Sequence, residues 1–177
     1  MRSRIPLSTL PCLRTSPMRN SPQAQQELDL DRFVPYRLSV LTNRVSSGIA
    51  RHYSERFGLS IPEWRVMAVL GQSPELSARE VAIRTAMDKV QVSRAVASLM
   101  RTRRVARSED AKDGRVTRLS LTRQGKAIYD EIVPLALHLE ELFLSTLDAE
   151  ERRMLDHLMT KLASGAVVGT DSLNLAR

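Results

Sequence analysis

A chain of 177 residues, 42% of them hydrophobic but only 4% aromatic, can bury one core of Leu, Val, Ile, Met and Ala, a mix that favours helices over a β-sandwich. Its net charge of +7 is concentrated: residues 79–126 hold 13 basic and 5 acidic side chains against 14 and 15 elsewhere, a local field suited to a polyanion. One cysteine, Cys12, three histidines without ligand spacing and no run of eighteen apolar residues exclude an internal disulfide, a metal cluster and a transmembrane helix.

Residues 1–26 carry Pro6, Pro11, Pro17 and Pro22, four arginines and no acid, a composition that cannot order itself around a core. Disorder is expected over 1–30. The prolines interrupt the only apolar stretch, which argues against a secretory signal, and Met18 is an alternative start. A long helix is predicted over 31–57. Leu38, Leu41, Val45, Ile49 and Tyr53 recur at three or four residues, Pro35 sits near the start and Gly58 just past the end. Such a rod is roughly 40 Å long, too long to bury its stripe in a small domain, so part of it should meet a partner.

Ser60-Ile-Pro-Glu63 has the spacing of a capping box and opens a second helix through Trp64, Met67, Ala68 and Leu70 to about Gln72, stopped by Ser73-Pro74. Ser77-Ala-Arg-Glu80 repeats the box for a short third helix ending near Arg84, with Val81 and Ile83 as its apolar residues. Thr85-Ala-Met87 makes a turn, and Asp88 caps a fourth helix. Two short helices joined by about three residues describe a helix-turn-helix. Val92, Val96 and Leu99 form the fourth helix's inward stripe; Gln91, Arg94, Ser98 and Arg101 lie on another, hydrogen-bonding side. An apolar back with a polar front is what reading a major groove requires, though an ordinary surface helix has the same pattern.

Val105 to Ser108 reads as a strand, 109–114 as a polar loop with Asp-Gly, and 115–121 as a returning strand with Leu119 and Leu121 on one side. The hairpin is a wing carrying Arg115 and Arg118. An arginine at a hairpin end can enter a narrow minor groove, and Asp113 is placed to steady Arg115; a surface ion pair is the plainer reading. Thr122 caps a helix over about 123–145, with Pro134 inside and a stripe from Ile128 to Leu142. Asp148-Ala-Glu-Glu151 opens a last helix bearing Met154, Leu155, Leu158 and Leu162, followed by a loose tail from 165 to 177.

Three pieces of this pattern together resemble the MarR family of bacterial regulators, over about residues 31–164. They are Leu59 to Leu70, Asp88-Lys-Val-Gln-Val-Ser-Arg94, and Asp113-Gly-Arg115 with Leu119-Ser-Leu121-Thr122 and Gly125. Val90 departs from the Ser or Thr that many relatives carry. The resemblance implies a mainly α fold with a small β-hairpin wing: a winged helix-turn-helix at 59–122 on a helical dimerisation layer at 31–58 and 123–164. It implies a homodimer whose recognition helices enter successive major grooves of a pseudo-palindromic operator in double-stranded DNA, with Arg115 as the wing-tip residue and Asp113 its support.

The function expected is sequence-specific transcriptional regulation in a reducing cytoplasm, as a repressor released by a small molecule. Gln91 and Arg94 are assigned to base edges, Val90 to a thymine methyl, and Lys89, Ser93 and Arg101 mainly to backbone, with Asp113, Arg115 and Arg118 on the wing. Relatives that sense aromatic acids or their coenzyme A thioesters suggest an effector site at Arg37, Asn43, Arg44, Trp64 and Arg65, against the simpler reading of Trp64 as core and the arginines as solvated. A thiol-based oxidant sensor would need a cysteine in the folded part, and Cys12 is in the tail. No catalytic triad, metal set or phosphate loop can be assembled, so neither enzyme activity nor a cofactor is expected. A non-specific architectural DNA binder is the alternative.

Overall fold

The computed structural model describes residues 27–110 and 117–174, with side chains as far as 165. Its elements are α1 (Val34–Phe57), α2 (Ile61–Gln72), α3 (Ala78–Thr85), α4 (Lys89–Arg101), β1 (Val105–Glu109), β2 (Thr117–Leu121), α5 (Arg123–Leu144) and α6 (Ala149–Asn174). This is the mainly α, winged helix-turn-helix architecture read from the sequence.

The boundaries have local chemical causes. Pro35 lies in the first turn of α1, where a missing N–H costs nothing, and Gly58 ends the helix at φ 61°, donating its N–H to the Ser54 carbonyl. Both capping boxes form: Ser60 and Ser77 accept from the backbone N–H of Glu63 and Glu80, and each glutamate reaches back to the cap N–H at 2.7 Å. Asp148 and Glu151 make the same reciprocal pair at the start of α6, with both bonds at 2.9 Å.

The core is gathered around α2, which packs against α1, α3, α4, α5 and β2. Val66, Met67 and Leu70 of α2 meet Val81 of α3, Val92, Val96 and Leu99 of α4, and Val105 and Leu119 of the hairpin. From the flanking helices only Tyr53 of α1 and Ile132 of α5 are fully buried in this cluster. The hairpin is antiparallel, pairing Val105 with Leu121 and Glu109 with Thr117, and Leu76 adds a bridge to Leu119 through two backbone bonds of 2.8 and 3.2 Å. Thr122 closes the lobe: its hydroxyl accepts from the Gly125 N–H at 3.0 Å and donates to the Arg103 carbonyl at 2.7 Å. Gly125 has no alternative here, because a Cβ would stand 2.0 Å from the Arg104 carbonyl oxygen.

Three details depart from the sequence reading. Helix α1 begins at Val34 rather than 31, and residues 29–33 form a turn in which the Asp29 carbonyl accepts from Arg32 and Phe33, so order starts before 30. Ile83 is not a core residue but 69% exposed, because a helix of eight residues has one inward face and Val81 occupies it. Helix α6 does not stop at Gly165 but continues to Asn174; one glycine costs a helix only about 1 kcal/mol, and no proline follows to end it. The proposed start at Met18 and the wing tip, 111–116, lie outside the described residues.

The terminal helices leave their apolar stripes uncovered within one chain. Leu38 and Leu41 of α1, Leu137, Leu142 and Phe143 of α5 are exposed, and no side chain described in α6 is buried; Leu162 is 56% exposed.

Candidate nucleic-acid interface

The helix-turn-helix is built by a left-handed residue. Ala86 sits at φ 52° and ends α3, which lets the buried Met87 turn back and donate to the Ala82 carbonyl at 3.2 Å. Asp88 then caps α4, its carboxylate accepting the Gln91 backbone N–H at 2.8 Å. With that start, the 3.6-residue period sends Val92, Ala95, Val96 and Leu99 inward. Lys89, Val90, Gln91, Ser93, Arg94 and Arg101 are all exposed on the other side. Val90 is 57% exposed, an apolar residue that burial does not explain. The side chains of Lys89, Gln91 and Arg94 make no hydrogen bond or ion pair among the described residues and are free for an external partner.

Ser98 belongs to a different environment from the one its spacing suggests. It is half-buried, lies near the Glu63 carboxylate across the α2–α4 contact, and accepts from the Arg101 guanidinium at 3.2 Å. Burial disfavours the charged form of Glu63, yet the hydroxyls of Ser60 and Ser98, the Ser60 N–H and the nearby Arg104 outweigh it and hold its pKa below the ordinary carboxylate value. Arg104 also donates to the Phe57 carbonyl at 2.5 Å, tying the end of α1 to the start of β1.

Arg118 also departs from expectation. Its guanidinium turns into the lobe, where it bonds to Asp110 on the hairpin, to Glu80 of α3 at 3.0 Å and to the Glu75 carbonyl at 3.3 Å. Asp113 and Arg115 fall outside the described residues. Arg79, Arg103 and Arg107 are further exposed cations of the same lobe that periodicity did not single out.

The five residues expected around an effector separate into two groups. Arg37 and Arg44, two turns apart on α1, line a shallow groove of about 580 Å³ with Tyr36, Leu38 and Leu41. Trp64 instead fills an aromatic stack, 5.7 Å from Tyr53 and 6.0 Å from Tyr129, which is the core role weighed against the ligand role. Arg65 lies close enough to Tyr53 to favour its ionised form, although burial dominates and pushes the Tyr53 pKa up to about 12. Asn43 is exposed and outside that groove. A larger cleft of about 840 Å³ opens between α1, α5 and α6, lined by Ile49, His52, Leu139, Phe143, Arg152 and Leu155 among others, and it includes none of the five. Among the described residues no group of His, Cys, Asp and Glu is placed to hold a metal, and no helix is long and apolar enough to cross a membrane.

Known proteins share this arrangement. The model of the MarR family matches residues 57–116, the helix-turn-helix and most of the wing. The chain is 28% identical over 108 residues to the HTH-type transcriptional regulator BilQ of Clostridium symbiosum, covering 61% of this chain and 75% of that one. A MarR family transcriptional regulator from Silicibacter pomeroyi superposes with a TM-score of 0.69 at 26% identity, over 85% of this chain and 97% of the other. BpsR of Bordetella bronchiseptica, whose DNA binding is regulated by 6-hydroxynicotinic acid, shares the fold with a TM-score of 0.69 at 23% identity, over 77% and 97% of the two chains.

Proposed function

We propose that this chain is a transcription regulator of the MarR family, whose model and members it resembles, and that it acts as a homodimer that reads a pseudo-palindromic operator in double-stranded DNA and represses the adjacent genes. The observation that carries this reading is the two-sided α4, with Val92, Val96 and Leu99 fully buried while Lys89, Gln91 and Arg94 are exposed and unengaged. Gln91 and Arg94 contact base edges, Val90 contacts a thymine methyl, and Lys89, Ser93 and Arg101 hold phosphates. Arg115, supported by Asp113, enters the flanking minor groove. The uncovered stripes of α1, α5 and α6 supply the surface through which two copies join. About four phosphates per half-site make the slope of log affinity against log salt near −7 for the dimer. The test is a comparison of a fragment from upstream of the gene with a scrambled duplex: a specific regulator prefers its site by at least about 10³, whereas an architectural binder does not discriminate.

A small acidic aromatic ligand relieves repression in this reading. What supports it is the regulation of BpsR by 6-hydroxynicotinic acid, and here the pair Arg37 and Arg44 beside Tyr36 offers an anion and a ring complementary partners. Titration of the DNA complex with 6-hydroxynicotinate and with aromatic acyl-coenzyme A thioesters tests it; operator affinity unchanged by all of them removes the effector and leaves the DNA-binding reading intact. A cytoplasmic location follows from the same role.

A further inference from the structure

Arg118 carries a cation on the wing, yet the groups around it are acidic. Asp110 receives its Nε, and Glu80 and the Glu75 carbonyl receive its Nη1. The Asp110 side chain is 13% exposed and that of Arg118 30%, so this pair is withdrawn from solvent more than the other ion pairs described. Glu80 has a second duty. The same Oε2 accepts from the Ser77 N–H at 2.7 Å and the Ser77 hydroxyl at 2.6 Å. One carboxylate oxygen therefore caps α3 and anchors the wing. Leu76, next to that cap, makes the bridge to Leu119, next to Arg118.

We infer that Arg118 is a positioning residue: it clasps the hairpin to the capped end of α3 and so sets where the wing stands relative to α4, without itself holding a phosphate. A planar guanidinium fits this work because it presents separate N–H groups to two carboxylates and a carbonyl at once, which a lysine ammonium cannot reproduce in that plane. A cation meant for DNA would be left as Lys89 and Arg94 are, free of acidic partners. Arg118 is surrounded by three acidic residues, Glu75, Glu80 and Asp110, whose field opposes an approaching phosphate.

The inference rests on the DNA-binding reading for its consequence, but the clasp itself is tested without DNA. In the free protein, Arg118→Lys should speed hydrogen exchange of the hairpin amides at 105–109 and 117–121 by about tenfold while the amides of α2 and α4 stay protected. Unchanged hairpin exchange overturns the clasp. With DNA, the probe is the tightest duplex that wild-type protein selects from a random pool. Arg118→Lys, which keeps the charge, should weaken binding about tenfold with the salt slope unchanged. Glu80→Gln, which keeps the capping bonds, should weaken it in the same direction, and the double variant should bind no worse than Arg118→Lys alone. Wild-type affinity in Arg118→Lys, or stronger binding in Glu80→Gln, overturns the inference and returns Arg118 to the phosphate contacts. A wild-type protein that selects no duplex at all overturns the DNA-binding reading instead, and the exchange result still decides the clasp.

Discussion

The two faces of α4 should fail in different ways. Arg94 is exposed and engages nothing among the described residues, so truncation to Ala should change folding stability by no more than about 0.5 kcal/mol. A bidentate arginine–base pair is worth about 1–3 kcal/mol, and a dimer carries two copies, so the specific complex should lose about 2–6 kcal/mol, or about 30-fold to 10⁴-fold in affinity. Leu99 lies five residues on and is fully buried beneath α2 and the wing. Leu99→Ala removes core volume at about 2–5 kcal/mol of stability. Measured at a temperature where it is still folded, it should bind DNA with nearly wild-type affinity per folded molecule. Urea unfolding followed by circular dichroism gives the stabilities, and fluorescence anisotropy with a labelled selected duplex gives the affinities. Arg94→Ala that loses more than about 1 kcal/mol of stability, or keeps wild-type affinity, would refute the division of labour.

Other consequences follow from single contacts. Ala86→Gly should raise stability by about 0.5–1 kcal/mol, because Ala86 holds φ 52° and glycine adopts that conformation without the Cβ clash; a lower urea midpoint would contradict this. Gly125→Ala should cost about 1–3 kcal/mol or more, since its Cβ would meet the Arg104 backbone carbonyl, which cannot swing away as a side chain can; denaturation midpoints decide it. Tyr53 is held neutral by burial, with its pKa near 12 against about 10 in an unfolded chain, so its contribution is complete below pH 10 and fades as pH climbs towards 12. Tyr53→Phe should flatten that part of the stability–pH curve. Ser77→Ala should cost about 1 kcal/mol through the α3 cap, seen in the same unfolding assay.

What could be read from the chain beforehand was whatever depends on neighbours three or four residues away. The boxes at Ser60, Ser77 and Asp148 and the inward stripe of α4 are such local patterns, and all of them form. Contacts between distant residues left no trace in spacing. Arg118 reaches Glu80 across 38 positions, and Ser98 meets Glu63 across the helix contact, so both looked like free polar groups on a surface. Trp64 had two readings, ligand and core, and its ring contacts with Tyr53 and Tyr129, which spacing could not foretell, are those the core reading needs. Gly165 resembled a stop, but a C-cap glycine ends a helix only by turning left-handed, as Gly58 does.

Two copies of α4 should lie in successive major grooves on one side of the duplex. Hydroxyl-radical footprinting on the selected duplex measures this. The expected result is two protected patches per strand, centred about 10 base pairs apart or a multiple of that, which fade in Arg94→Ala. A single patch, or uniform protection that the substitution leaves in place, would contradict it.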